Sequence, residues 1–261
     1  MVVTAFVFST AEFEGLAFQA LKEAGLNPPD EEFKSRMRMD TDPRMRDTRD
    51  ALLSLADSNS KIAVFFGPLD RRRLGIQSLQ ALQSVLLRNG VDPNSLAIHF
   101  DTGIFTSTPE AARLCRLFHY LANCKILPAC DSRLYAGIQV ADAVAHSFGQ
   151  IIKARLTDSD KIVDIGGPNT GYSPGTESTL SHSLLTRLRR ALFTRPIVYR
   201  GEPYNAQCDP VVLDPANDDP VNFGQNPILL GWGVQIAPES PLQLRQAVED
   251  GLSHIWLGCL H

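Results

Sequence analysis

The chain has 261 residues, of which 44% are hydrophobic and 21% are charged, proportions typical of a soluble globular protein that buries a core of its own. Its formal net charge of -4 argues against binding nucleic acid through overall charge, although a local basic patch could still do so. No apolar run approaches the roughly 20 residues that span a bilayer, and the first ten residues carry no secretory signal. The five cysteines lack the short spacing of a zinc site, so we expect reduced thiols in a cytoplasmic protein.

In the first 156 residues, the predicted elements alternate between strand and helix. Runs of β-branched and aromatic residues indicate the strands, and apolar residues at helical spacing indicate the helices. In chain order they are strand 2–8, helix 11–24, helix 42–56, strand 61–66, helix 74–89, strand 96–101, helix 108–121, strand 124–128 and a long helix that ends near 156. This alternation favours an α/β architecture with a partly parallel sheet.

The composition changes after residue 157. The predicted elements there are a loop at 166–175, a basic helix at 178–193, an irregular stretch at 208–227, a strand at 228–236 and a final helix at 240–257. We therefore divide the chain into an α/β domain at 1–156 and a C-terminal extension at 157–261. The extension is expected either to pack on the domain or to mediate an interface.

The long helix carries a polar stripe beside its apolar face. Gln139, Asp142 and His146 lie three and four residues apart, so they share one side of the helix. Polar groups on an otherwise apolar helix must face water, be fully hydrogen-bonded, or face a metal or a substrate. The stripe by itself leaves a solvated face and a functional site equally open.

Three aspartates could supply acidic chemistry. Asp101 ends a strand, Asp131 follows the next strand, and Asp142 lies on the helix. In open α/β sheets, ligands bind beyond the carboxyl ends of strands, although a turn or a helix cap is an equally ordinary role for such an aspartate. Carboxylates that converge repel one another unless a divalent cation such as Mg²⁺ or Mn²⁺ neutralises them, and that cation can activate water for phosphodiester hydrolysis. Lys34 and the basic run Arg71-Arg72-Arg73 could contact phosphates, but solvated charges are the ordinary interpretation of both.

The stretch from Asp131-Ser132 to the Ile-Gln-Val-Ala-Asp run at 138–142 resembles an uncharacterised bacterial and archaeal family, domain of unknown function 3800. Members of that family show an Asp-Ser followed by a helix written roughly Ile-Gln-Leu-Ala-Asp-Leu. Phe100-Asp101-Thr102-Gly103 is similar to the family's central strand, and Glu32-Phe33-Lys34-Ser35 to its Glu-x-Lys block. The resemblance covers residues 1 to about 156. It implies a ribonuclease-H-like mixed sheet flanked by helices, with an Mg²⁺-dependent nuclease centre.

By that resemblance, Asp101, Asp131 and Asp142 are metal-site carboxylates and Gln139 orients the ligand or substrate. Members of the family usually open with a strand that ends in Asp-Glu-Ser-Gly, whereas residues 1–12 resemble the family's second strand. Either the opening strand lies upstream of this sequence, or the site has lost its first carboxylates.

The leading prediction is a ribonuclease-H-like, metal-dependent nuclease or phosphodiesterase, active or degenerate. Asp101 and Asp142 would bind Mg²⁺ or Mn²⁺, Asp131 would assist, and Gln139 would position the substrate. The alternatives are a non-catalytic binding or assembly subunit that retains the fold, and a small-molecule hydrolase that uses the same carboxylates. Expected partners are nucleic acid, and a second copy or another protein bound through the C-terminal extension; no membrane partner is expected.

Overall fold

The computed structural model describes residues 1–35, 39, 42–166, 172–193, 228–229 and 233–252, which form a mixed α/β structure with small mixed sheets. The strands are β1 Val2–Phe8, β2 Lys61–Gly67, β3 Ala97–Asp101, β4 Lys125–Cys130, β5 Ile162–Asp164, β6 Glu177–Thr179, β7 Ile228–Leu229 and β8 Val234–Ile236. The α-helices are α1 Phe13–Glu23, α2 Pro43–Asn59, α3 Leu74–Arg88, α4 Thr108–Cys115, α5 Ala136–Thr157, α6 Leu180–Leu188 and α7 Leu242–Leu252. The predicted α/β class is confirmed.

Three sheets form within the described residues. The largest has the order β1-β2-β8-β7; β1 runs antiparallel to β2 over their whole length, and β2 runs parallel to β8. β3 and β4 form a separate parallel pair, and β5 and β6 form an antiparallel pair. The β3–β4 pair determines where Asp101 lies, because that residue ends β3 opposite Cys130.

Helix α5 lies at the centre of the larger core. Its buried side chains Val140, Val144, Phe148 and Ile152 recur every four residues, so they form one continuous apolar face. That face packs in a cluster with side chains of β2, α1 and α2. A second cluster, built around β3 and α3, fills the space between the largest sheet and the β3–β4 pair.

Described residues of the C-terminal extension belong to the larger core. Leu184 of α6, Val234 of β8 and Val248 of α7 are buried in the same cluster as the α5 face. Strand β8 lies between β2 and β7 in the largest sheet. The described part of the extension therefore packs on the α/β elements.

Local predictions differ from the structure in three places. The single strand predicted at 228–236 is replaced by two short strands, β7 and β8, which pair antiparallel. The predicted helix 108–121 ends at Cys115, and a 3₁₀ helix follows at His119–Asn123. The backbone there forms hydrogen bonds between residues three apart, and Phe118 and Leu121 are buried. The β5–β6 hairpin was not predicted, since strands of three residues are too short to show alternation. The irregular stretch 208–227 and the end of the final predicted helix lie outside the described residues.

Candidate functional site

Gln139 anchors the segment Glu32–Ser35 to helix α5. Its side chain is only 1% exposed. Its Oε1 accepts a hydrogen bond from the Phe33 backbone N–H at 2.7 Å, and its Nε2 donates to the Ser132 carbonyl oxygen at 2.7 Å. This part of the polar stripe is therefore fully hydrogen-bonded, and Gln139 ties together two loops that are about 100 residues apart in sequence.

Asp142, one helical turn further along α5, anchors the end of the same segment. Its carboxylate accepts from the Ser35 backbone N–H and from the Ser35 hydroxyl, both at 2.9 Å. A carboxylate offers about four lone-pair sites, so two of them remain for another ligand. The two anchors hold Phe33 and Ser35 in place, and they fix the position of Lys34 between them.

The Lys34 side chain belongs to a small hydrogen-bonded cluster. Its Nζ donates to the Ser132 Oγ at 3.0 Å and lies 3.1 Å from the Glu32 carboxylate. The Ser132 hydroxyl in turn donates to Glu32 at 2.6 Å, a short distance typical of a bond to an ionised acceptor. The ammonium group is thus positioned by two partners, and Glu32 balances its charge.

These side chains open onto one cavity of about 240 Å³. Its polar lining consists of Lys34, Ser35, Asp101, Ser132, Gln139 and Asp142. Three of the four residues that the sequence predicts for the site, Asp101, Gln139 and Asp142, are therefore brought together here. They come from the end of β3 and from one face of α5.

Asp101 is an ionisable group that the cavity partly removes from water. Burial raises the pKa of the Asp101 carboxyl, and the charge of Asp142 acts in the same direction. The ammonium of Lys34 and hydrogen bonds from Thr102 oppose that rise in pKa. Among the described side chains, none forms an ion pair with Asp101 within 4 Å. Its negative charge is thus only partly compensated.

Asp131 does not share this environment. Its carboxylate forms an ion pair with Arg133 at 2.7 Å and also accepts from the Arg133 backbone N–H at 3.0 Å. These hydrogen bonds lower the pKa of Asp131 to about 2. The residue is absent from the cavity lining, so the expected convergence of three aspartates is replaced by a local turn in which Asp131 binds the arginine two positions ahead.

His146, the last member of the polar stripe, also lies outside the cavity lining. Burial lowers the pKa of its ring, and its Nε2 is 3.5 Å from the side-chain nitrogen of Gln150. The stripe therefore separates into two anchoring residues, Gln139 and Asp142, and a histidine held within the helix packing.

Sequence reasoning did not assign roles to two acidic residues and one hydroxyl of this region. Glu32 and Ser132 position Lys34, and the only signal for them was their place in the Glu-x-Lys and Asp-Ser motifs. Glu14 of α1 accepts from the backbone N–H groups of Ala136 and Gly137, so it caps the start of α5. No sequence pattern pointed to Glu14, because its partners are more than 120 residues away.

The donor set bears on whether a metal ion fits. Among the described residues, no three His, Cys, Asp or Glu side chains come together in a way that could hold a metal ion. The two aspartates of the cavity fit a cation that keeps much of its own water, since Mg²⁺ is commonly bound by only one or two carboxylates together with water and substrate phosphates. They do not fit an ion such as structural Zn²⁺, which takes four protein ligands.

The comparisons with known proteins add no relative. No protein-family model, curated protein or solved structure matches the chain. The family resemblance and the ribonuclease-H-like fold therefore stay predictions. Among the helices that the structure describes, none has the length and apolar character needed to cross a membrane.

Proposed function

We propose that this protein is a divalent-cation-dependent hydrolase of phosphodiester bonds, built on a ribonuclease-H-like arrangement. The observation that carries the proposal is that Asp101 and Asp142, from the end of a strand and from a helix, line one open cavity together with Lys34. An aspartate at the carboxyl end of β3, beside the helix that follows β4, supports the fold part of the proposal.

The charge balance of the cavity favours a cation. Lys34 is the one positively charged side chain among the described residues that line it, and Glu32 at 3.1 Å already balances that charge. The two aspartates then leave two formal negative charges in a partly desolvated space. A divalent cation would compensate both charges and offset the cost of burying Asp101.

In this proposal, the chain's own residues would hold the cation and bind the phosphoryl group of the substrate. Bound Mg²⁺ or Mn²⁺, held by Asp101 and Asp142, would supply Lewis-acid chemistry and acidify water. Burial raises the pKa of the Asp101 carboxyl in the cation-free protein, so a cation bound there would favour the ionised form of this side chain. Lys34, held by Glu32 and Ser132, has a remaining N–H donor for a phosphoryl oxygen of a substrate in the cavity. Gln139 is a positioning residue, because it anchors the segment Glu32–Ser35 that carries Lys34.

A specific observation favours one alternative, a non-catalytic binding subunit. Both Asp142 oxygens already accept hydrogen bonds from Ser35, and both polar groups of Gln139 are used. These bonds would hold the segment Glu32–Ser35 in place in a protein with no catalytic role. The two functions are distinguished by whether a cation stabilises the protein through both Asp101 and Asp142.

The experiment compares wild type with Asp101→Asn, Asp142→Asn and, as matched control, Asp47→Asn on the exposed side of α2. Protein stripped of metal is given Mg²⁺ or Mn²⁺. Hydrolysis is then measured on bis(p-nitrophenyl) phosphate and on single- and double-stranded DNA and RNA. The cation-induced rise in melting temperature is recorded in parallel, because it reports binding without activity.

We expect Asp101→Asn and Asp142→Asn to lose roughly 100-fold or more of the hydrolysis rate and the cation-induced stabilisation, while Asp47→Asn keeps both. If wild type hydrolyses none of the substrates and neither cation changes its melting temperature, the proposal is overturned in favour of the binding subunit. Activity that persists in Asp101→Asn would also overturn it.

A further inference from the structure

Three consecutive arginines precede helix α3, and two of them have no acidic partner within the described residues. Arg73 forms an ion pair with Glu239 at 3.0 Å. Arg71 and Arg72 are exposed, and no described carboxylate lies within 4 Å of either guanidinium group. The nearby Asp70 carboxylate accepts from the Arg72 backbone N–H instead. Two positive charges are thus presented to solvent on a chain whose net charge is -4.

The start of α3 packs against the loop that leaves Asp101. A Cβ added to Gly75 would lie 2.6 Å from the ring of Phe105 and 3.3 Å from the Ile104 carbonyl oxygen. The Ile104 backbone N–H in turn donates to the Asp101 carbonyl oxygen at 3.4 Å. Only glycine permits so close an approach, so the start of α3 is packed directly against the loop that follows Asp101.

The separation can be bounded from the chain itself. Gly75 lies three positions after Arg72, and Ile104 lies three positions after Asp101. At about 3.8 Å per residue, plus the close contact between the two segments, the α-carbons of Arg72 and Asp101 are at most about 30 Å apart. Stacked nucleotides advance about 3.4 Å each, so roughly nine nucleotides cover that span.

From this placement we infer that Arg71 and Arg72 bind the phosphate backbone of a polynucleotide whose scissile phosphate lies in the cavity. The inference rests on the proposed function and names its substrate class as a nucleic-acid strand. Guanidinium groups match phosphate oxygens in a two-pronged geometry, and unpaired exposed arginines lose no protein ion pair when they bind one. Neither arginine lines the cavity, so a small phosphodiester bound there does not depend on them.

The test measures binding by fluorescence anisotropy in EDTA, with labelled single strands of DNA and of RNA about 20 nucleotides long, which exceeds the estimated span. The double variant Arg71→Ala/Arg72→Ala is compared with Arg46→Ala/Arg88→Ala, which removes two exposed arginines elsewhere. Arg88 ends the same helix, about 20 Å from its start, so the control carries the same change in charge at a different place. Hydrolysis of bis(p-nitrophenyl) phosphate with Mg²⁺ or Mn²⁺ is measured on the same proteins.

We expect Arg71→Ala/Arg72→Ala to weaken strand binding roughly tenfold or more and to lower the salt dependence by about 1.4 counterions. The control pair should bind as wild type does, and all variants should hydrolyse the small substrate equally. Equal binding by both double variants, or an equal loss in both, would overturn the inference; hydrolysis of the small substrate would then still support the proposed function. Arginine-dependent binding without hydrolysis of any substrate would overturn the proposed function and leave the binding surface standing.

Discussion

Replacing Gln139 with leucine removes the anchor that joins helix α5 to the segment carrying Lys34. Leucine has a similar volume but neither donates nor accepts a hydrogen bond. The Phe33 N–H and the Ser132 carbonyl would then be left without the partners that they have at 2.7 Å. An unsatisfied buried polar group costs about 1–3 kcal/mol. Two such groups give about 2–6 kcal/mol.

Water from the adjoining cavity can reach part of this site, which places the expected loss in the lower half of that range, at about 2–4 kcal/mol. The loss is measured by urea unfolding followed by circular dichroism. The matched control is Gln19→Leu on α1, whose exposed side chain makes one hydrogen bond to Glu23 and should change stability by less than about 0.5 kcal/mol.

A third variant, Gln139→Glu, tests the donor directly. A neutral carboxyl can accept from Phe33 and donate to Ser132 as the amide does, whereas a carboxylate cannot donate. The folded state therefore raises the pKa of the introduced carboxyl, and the variant should lose stability as pH rises through that raised value. A Gln139→Leu loss no larger than that of Gln19→Leu, together with a Gln139→Glu variant indifferent to pH, would refute the anchoring argument.

Three further predictions follow from the pKa shifts. In protein stripped of metal, the raised pKa of Asp101 means that its charge destabilises the folded state, so Asp101→Asn should raise the melting temperature at pH 7. The gain should shrink as pH falls and disappear below about 4, where the carboxyl is protonated in the folded and the unfolded chain alike; no gain at pH 7 would contradict the burial argument. Arg133→Ala should move the pKa of Asp131 from about 2 towards 3.8 in a carboxyl NMR titration, since hydrogen bonds from that arginine are the first cause of the shift, and an unmoved titration would contradict it. The ring of His146 should titrate below 6.5 by NMR because burial lowers its pKa, so its contribution to stability should be lost as pH drops through about 6.5, where the unfolded chain takes up the proton; a value above 6.5 would count against the packing described.

The site was predictable as far as local pattern reaches. Asp101 was expected at the end of a strand and Asp142 on a helix, and the structure places them there. Residues that are neighbours in sequence set these positions, because strand and helix periodicity are local properties. For Asp131 the sequence left both a turn and a metal site open. The local pattern does not reveal that Arg133 takes up its carboxylate.

The spacing of the residues along α5 was enough to predict which side of the helix is polar and which is apolar. That spacing could not show which residues the polar side contacts. Phe33 and Ser35 reach Gln139 and Asp142 across more than 100 residues, and Glu14 reaches the start of the helix from α1. These pairs depend on the packing of the folded chain, because hydrogen bonds between distant segments form only where packed elements bring them together, and periodicity does not record that packing.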